Sequence, residues 1–251
     1  MPLAVRVPTP IAGMPIPGAF CFRSLAMPTA ILVDGGFFIK RYRQIYTNTV
    51  DRSPQKVAKN LHEICLKHLS SNQRKARDLY RIFYYDCPPL GKKAHHPVTQ
   101  RAIDFSKTEE AVFRTALHSE LRKLRKVALR LGRLSDSSNW QIKPEKLKEL
   151  VKKEIAVDDL QENDLLYEVK QKGVDMKIGL DIASLSYKRL VKQIVLIAGD
   201  SDFTPAAKLA RREGIDFILD PMWNPINQDL HEHIDGLMST CPQPKRTEKS
   251  Q

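Results

Sequence analysis

The sequence predicts an α/β fold, a three-layer α/β/α sandwich around a central, mainly parallel sheet, with a helical insertion. Three observations predict it. Short apolar stretches alternate with segments of helical spacing, as in repeated strand–helix–strand units. Ile194–Ala198 is an unbroken apolar run, typical of a strand buried on both faces. The chain has 251 residues, 42% apolar and 28% charged, which is enough for one large domain.

The first elements follow from local signals. Ala30–Val33 is a short apolar strand that stops at Asp34-Gly35-Gly36. Ser53-Pro54 is an N-cap followed by proline at the first helical position, and apolar residues then recur at helical spacing. Leu79–Tyr85 is β-branched and aromatic, which favours a second strand.

The later elements repeat the alternation. The buried strand Ile194–Ala198 is followed by Thr204-Pro205, which opens a helix that Gly214 closes. Ile215–Leu219 is then another strand, stopped by Asp220-Pro221. Strands separated by helices in this way are expected to lie parallel in one sheet.

An insertion is expected at about residues 107–160. Thr108–Leu131 and Pro144–Ala156 both show helical spacing, so the prediction is two helices packed against the core. From Arg114 to Lys153 there are twelve Lys or Arg and four Asp or Glu, so this segment is strongly basic.

The predicted organisation is therefore one domain over 29–240. Residues 1–28 hold six prolines and no acidic residue, and residues 241–251 are polar, so both ends are expected to be disordered. Met27 is an alternative start, because the first strand begins three residues later.

Charge and cysteine content narrow the function classes. The net charge of +12 favours a polyanionic partner, with nucleic acid the leading candidate. No apolar run reaches the ~18–20 residues that a membrane span needs. The four cysteines form no CxxC pair, so reduced thiols and a cytoplasmic location are expected. Exposed edge strands would allow a homo-oligomer without requiring one.

Four carboxylates carry the chemical signal. Asp34, Asp200 and Asp202 follow strands, and Asp175 begins a predicted helix. Ligands collect outside the carboxyl ends of parallel strands, so these side chains are expected at one edge of the sheet. A hard divalent cation such as Mg²⁺ would relieve their repulsion, and it could activate water against a phosphodiester. The alternative is that each aspartate only caps a helix or forms a turn.

Three segments stand out together, in the order Ile31–Phe38, Lys172–Ile178 and Ile197–Pro205. In residues, order and spacing they resemble the three motifs of the NYN domain family, whose members are PIN-like, metal-dependent ribonucleases. Arg81–Asp86 is similar to the second strand of the family, and Arg212–Ile215 continues the pattern. The resemblance covers about residues 28–240, less the insertion.

The resemblance implies a catalytic metal site of Asp34, Asp175, Asp200 and Asp202 that binds Mg²⁺ or Mn²⁺. Asp34 and Asp200 would be the most direct ligands, and the other two would complete the cage or hold metal-bound water. The implied activity is hydrolysis of RNA, expected to be endonucleolytic.

Further residues are candidates at the same site. Asp181 matches an acidic position of the family, but six residues separate it from Asp175, which is about 240° around a helix. Ser201 and Thr204 could supply hydroxyls, or Thr204 could cap a helix. Many relatives carry Asn where this chain has Phe37, so an amide that could orient metal-bound water is missing.

Candidate RNA-binding residues are basic. Lys40, Arg41 and Arg43 follow the first motif closely, and Arg122 and Lys126 belong to the basic run of the insertion. These side chains could track a phosphate backbone or could simply form a solvated surface.

Three functions remain open from the sequence. The first is a metal-dependent ribonuclease. The second is a non-catalytic RNA-binding module of the same fold, which the replacement by Phe37 supports. The third is another Mg²⁺-dependent phosphotransfer enzyme. A phosphatase with an aspartyl nucleophile would carry Asp-x-Asp after the first strand, whereas this chain has Asp34-Gly35-Gly36.

Overall fold

The computed structural model describes residues 28–46, 51–70, 78–135 and 139–244. Of the two ends expected to be disordered, residues 1–27 and 245–251 lie outside these ranges. Residues 28 and 241–244 are described, and Cys241 is buried. No helix in the described ranges is both long and apolar enough to cross a membrane.

The described chain alternates strands and helices, as the sequence predicts. In chain order the strands are β1 (Thr29–Asp34), β2 (Leu79–Asp86), β3 (Lys93–His95), β4 (Ala102–Asp104), β5 (Val127–Leu131), β6 (Arg133–Leu134), β7 (Asn139–Ile142), β8 (Leu165–Glu168), β9 (Gln171–Lys172), β10 (Gln193–Ile197), β11 (Asp216–Asp220) and β12 (Gly236–Leu237). The helices are α1 (Gly35–Ile45), α2 (Pro54–Lys67), α3 (Glu109–Lys123), α4 (Pro144–Val151), α5 (Val174–Tyr187), α6 (Thr204–Arg212) and α7 (Gln228–Glu232).

Six strands form the central sheet in the order β12-β11-β10-β1-β2-β5. Every neighbouring pair is parallel, so all carboxyl ends lie at one edge. Asp34 is level with Tyr85 of β2, and Val33 is level with Ile197 of β10. The prediction of a parallel sheet is confirmed.

Helices cover both faces of this sheet, which makes the fold a three-layer α/β/α sandwich. On one face α5, α6 and α7 pack on alternate strand residues such as Leu32 and Leu196. On the other face α1, α2 and α3 pack on the intervening residues, such as Ile31 and Val195. Because strand side chains alternate between faces, a strand buried on both faces is expected to be mostly apolar, as β10 is from Ile194 to Ile197.

Capping side chains fix where the helices begin. Ser53 Oγ accepts a hydrogen bond from Lys56 N at 3.4 Å, and Pro54 occupies the first helical position of α2. Asp34 caps α1 by accepting from Phe37 N at 3.1 Å. The cap therefore fixes the Asp34 carboxylate at the end of β1.

The predicted helix Thr108–Leu131 is wrong in its second half. Helix α3 ends at Lys123, and residues 127–131 form β5, an edge strand of the central sheet. Lys126 adopts a φ of 61°, which a continuing right-handed helix does not allow. The basic run is therefore split between a helix end, a turn and a strand.

The rest of the expected helical insertion combines one helix with short strands that pair with segments beyond residue 160. After β5 the chain forms two antiparallel pairs, β6 with β9 and β7 with β8, and α4 ends at Val151 rather than at Ala156. Phe105, Trp140 and Tyr167 pack together, with Phe105 and Tyr167 ring centroids 4.5 Å apart. This small aromatic core holds the arm formed by residues 133–172.

Candidate metal centre at the carboxyl edge of the sheet

The structure brings the four predicted aspartates to one edge. Asp34 ends β1, Asp200 and Asp202 follow β10, and Asp175 lies in the first turn of α5. Strands β1 and β10 are direct neighbours. The electrostatic coupling confirms the proximity, because Asp175 raises the pKa of Asp34, and Asp200 and Asp202 raise the pKa of Asp175.

Asp34 is the most perturbed of these carboxyls. Desolvation by burial raises its pKa to about 6, against hydrogen bonds from the Phe37 and Gly36 backbone that lower it. Negative charge on Asp175 and Asp86 adds to the increase. A charged Asp34 is therefore costly in the absence of a cation.

The other three aspartates are more exposed. Burial raises the pKa of Asp175 most, followed by the charges of Asp200 and Asp202. Asp200 Oδ1 accepts a hydrogen bond from Asp202 N at 3.0 Å and so caps the single 3₁₀ turn Ser201–Phe203. The capping alternative is thus true of Asp34 and Asp200, and each retains a second carboxylate oxygen.

The donor set suits a hard divalent cation in its chemistry. All four side chains offer carboxylate oxygens, the ligands that Mg²⁺ and Mn²⁺ prefer. Their side chains do not converge on one point, since no three His, Cys, Asp or Glu in the described ranges form a group that could enclose a metal. A cation held by two carboxylates and by substrate phosphate, as Mg²⁺ often is, needs no such cage.

The Phe37 ring lies against Gly199, the residue before Asp200. A Cβ added to Gly199 would stand 2.4 Å from Phe37 Cε2, so the ring covers the backbone just before Asp200. The glycine is required there by this close approach. An aromatic ring thus occupies the position where an amide is expected from the family resemblance.

The remaining candidates at this site have structural partners. Asp181 accepts a hydrogen bond from Tyr85 Oη at 2.8 Å and pairs with Arg130 Nε at 3.1 Å. Thr204 is buried, and its hydroxyl donates to the Ser201 carbonyl at 2.7 Å. Asp181 is therefore held in an ion pair over β2 and β5, away from the other aspartates.

The three basic candidates near the first motif differ in availability. Lys40 is exposed on α1. Arg41 donates from Nε and Nη2 to the Met222 carbonyl, and Arg43 pairs with Glu110 at 2.7 Å. Lys40 is thus the candidate whose charge is most open to solvent.

Arg122 and Lys126 lie at the edge of the sheet formed by the amino ends of the strands, opposite the edge that carries the aspartates. Arg122 is in the last turn of α3, just before β5 begins. Lys126 Nζ donates to the Leu79 carbonyl, and Ile82 N donates to the Lys126 carbonyl at 2.9 Å. Both contacts are at the start of β2, far from the carboxyl ends, so these two residues do not border the candidate metal centre.

A pair of cations close to Asp175 is visible only in the structure. Arg133 lies directly opposite Lys172 in the β6–β9 ladder, and both are exposed. Neither has an ion-pair partner among the described residues. Like charges directly opposite each other are destabilising, and a phosphate would relieve them. Their pairing depends on residues 39 positions apart, and the sequence contains no signal for it.

Asp86 forms a second acidic feature that sequence analysis did not single out. Its buried carboxylate accepts from Arg114 Nη1 at 2.6 Å and pairs with His118 Nε2 at 2.9 Å. Arg114 also binds Glu110, at 2.6 Å. This network lies beside the Asp34 end of the sheet and is satisfied within the protein, so it supports the edge structurally.

Comparison with known proteins gives one family match and one similar solved structure. The model of the NYN domain family matches residues 29–230. Among solved structures, the chain is similar to a protein of unknown function from Vibrio parahaemolyticus, with 14% identity, a TM-score of 0.44, and coverage of 84% of this chain and 91% of that one. No curated protein matches.

Proposed function

This chain belongs to the NYN domain family, whose domains are generally nuclease-like, and we propose that it is a metal-dependent ribonuclease that hydrolyses RNA phosphodiester bonds endonucleolytically. One observation carries the proposal: carboxylates from three segments lie at one edge of the sheet, where neighbouring negative charge adds to burial in raising the pKa of Asp34 and of Asp175. Excess negative charge at such a point is a reason to bind a divalent cation.

The proposed ligands are Asp34, Asp175, Asp200 and Asp202. When bound, Mg²⁺ or Mn²⁺ would supply Lewis-acid stabilisation of charge on the phosphate and lower the pKa of water. The residues themselves do the positioning. The α1 cap holds Asp34 in place, and the 3₁₀ turn holds Asp200. A carboxylate oxygen of Asp34 or Asp175 would accept a proton from the attacking water, whose oxygen would bond to the phosphorus. The bond from phosphorus to the 3′ oxygen would break, that oxygen would take a proton from solvent and leave as a 3′-hydroxyl, and the phosphate would stay on the 5′ side of the next nucleotide.

Cations near this edge would hold the RNA backbone. Lys40 is exposed on α1. Lys172 precedes Asp175 by three residues and lies opposite Arg133 in the β6–β9 ladder. Phosphate contacts of this kind position a strand without reading its sequence. The net charge of +12 supports an attraction to RNA that weakens as salt is added.

The same fold without catalysis is the second candidate, and Phe37 favours it. Its ring lies against Gly199, where it offers no group to orient water. A module of this kind would bind RNA in a salt-sensitive manner and leave it intact.

The discriminating experiment is a cleavage assay on labelled single-stranded RNA. The wild type is compared with Asp200→Asn and with Asp158→Asn, an exposed carboxylate on the arm, in Mg²⁺, in Mn²⁺ and in EDTA. The ribonuclease predicts metal-dependent cleavage by the wild type and Asp158→Asn, and at least about a hundredfold loss in Asp200→Asn. Binding without cleavage in both metals would establish the non-catalytic module.

A further inference from the structure

A pocket of about 250 Å³ opens between the end of β2, the start of α3 and the arm of residues 133–172. We infer that this β2–α3 pocket receives one nucleobase of the RNA strand next to the bond that is cut. The inference rests on the proposed function for the identity of the strand. It deepens that function, because a base pocket would give the cleavage a sequence preference.

The position of the pocket is the first argument. Cys87 and Gln171 both line it. Cys87 follows the last residue of β2, and Gln171 precedes the Lys172-Gly173-Val174-Asp175 turn. A Cβ added to Gly132 would stand 2.8 Å from the Lys172 carbonyl and 3.0 Å from Cys87 Sγ, so the segments that carry the pocket and Asp175 are in contact.

The walls of the pocket suit a flat ring. Phe105 and Tyr167, whose ring centroids are 4.5 Å apart, both line the pocket, and so do Pro88 and Pro89. Single-stranded RNA is recognised mainly by splaying out a base and stacking it on such side chains. The volume is below the ~300–1,000 Å³ that encloses a drug-sized ligand, so the pocket suits a single base.

The polar groups of the pocket are few and fixed. Glu110 and Arg114 line it, and their mutual bond, together with the Arg114–Asp86 ion pair, holds both in place. Glu110 is also paired with Arg43, so both side chains already have partners. Each keeps further capacity, because a carboxylate oxygen accepts more than one hydrogen bond and a guanidinium carries five N–H donors. Each nucleobase presents its own pattern of hydrogen-bond donors and acceptors along its edge. Glu110 and Arg114 would therefore favour the base whose pattern matches them.

The test measures binding separately from cleavage. Fluorescence anisotropy in EDTA measures the affinity of the wild type and of Val169→Trp for labelled RNAs of twelve nucleotides. The RNAs are homopolymers of A, C and U and a GU repeat. Val169 lines the pocket and is exposed, so the indole would fill the space without disturbing the core. The matched control is Val151→Trp, on an exposed residue of α4 outside the pocket.

We expect the wild type and Val151→Trp to prefer one base by about fivefold or more, and Val169→Trp to lose that preference with about a tenfold weaker binding of the preferred RNA. Equal affinity of the wild type for all four RNAs, or an unchanged preference in Val169→Trp, would overturn the inference. Binding to none of them would overturn it as well.

The same samples distinguish failure of the proposed function from failure of the base-pocket inference. Base-dependent binding without cleavage in Mg²⁺ or Mn²⁺ would keep the pocket and remove the nuclease. Cleavage without any base preference would keep the nuclease and remove the pocket. If circular dichroism shows that Val169→Trp does not fold, Gln171→Ala replaces it, because Gln171 also lines the pocket and is exposed. A base preference of Gln171→Ala equal to that of the wild type would then count against the inference.

Discussion

Asp34→Asn is expected to stabilise the metal-free protein at neutral pH while it removes the proposed activity. Asparagine caps a helix about as well as aspartate, so the start of α1 is retained. The substitution removes a charge that burial makes unfavourable. The pKa of Asp34 is raised from 3.8 to about 6, and a change of one in pKa corresponds to ~1.4 kcal/mol, so the ionised carboxyl costs up to about 3 kcal/mol.

The sign with pH follows from the same values. A carboxyl whose pKa is higher in the folded state binds its proton more tightly there, so the free energy of unfolding falls as the pH rises from about 4 to about 6. Above that range the whole cost is present, and below it the cost disappears. Asp34→Asn should therefore gain about 1–3 kcal/mol at pH 7.5 and almost nothing at pH 4.

Urea denaturation followed by circular dichroism, in EDTA at both pH values, measures this difference. Asp181→Asn is the control of opposite sign, because Asp181 is bonded to Tyr85 and to Arg130, and its loss should destabilise the protein at pH 7.5. Mn²⁺ should stabilise the wild type more than Asp34→Asn. A less stable Asp34→Asn at pH 7.5, or an equal effect at both pH values, would refute the reasoning.

Three further outcomes are expected. His68→Ala should lower the free energy of unfolding by about 3–5 kcal/mol in thermal or urea melts, because the fully buried carboxylate of Asp220 loses the His68 Nε2 group that lies 2.8 Å from it. A loss below about 1 kcal/mol would argue against a stabilising His68–Asp220 pair. Gly199→Ala should cost about 1–3 kcal/mol, since its Cβ would meet Phe37, and a further Phe37→Ala change should recover most of the loss. Replacing Arg133 and Lys172 together by Ala should lower the slope of log affinity for single-stranded RNA against log salt by about 1.4, and an unchanged slope would exclude phosphate contacts there.

Much of the fold is predictable because turn residues mark its strands clearly. Ile194–Ala198 is bounded by Gly199, and Leu79–Tyr85 is bounded by Pro88 and Pro89. Strand β5 is marked only at its end, by Gly132. Neither Gly nor Pro separates its start from α3, and its apolar residues also fit a helical period. Only pairing with β2 decides that it is a strand.

The start of α1 shows a second limit. Gly35 and Gly36 suggest a turn, yet the helix begins at Gly35. A Cβ on Gly35 would stand 2.6 Å from the Tyr84 ring, so glycine serves close packing of the helix on β2. That neighbour is 49 positions away and cannot be read from local sequence.

The candidate site divides in the same way. The topological rule for parallel sheets places Asp34 and Asp200 at one edge, and the structure has them there. Asp181 and Asp175 are six residues apart, so they point in different directions from α5, as the sequence predicts. In the structure Asp181 is paired with Arg130 instead of lying with the other aspartates. The Arg133–Lys172 pair requires the register of two short strands, which no local pattern specifies.

The central claim is that the carboxylate edge binds the divalent cation on which RNA cleavage depends. The most direct measurement is a Mn²⁺ titration that records metal binding by calorimetry and RNA cleavage by gel on the same preparation. The account predicts that binding and cleavage reach half-saturation together in the wild type, and that Asp200→Asn loses both. Cleavage that persists in Asp200→Asn, or Mn²⁺ binding that Asp200→Asn leaves unchanged, would contradict it.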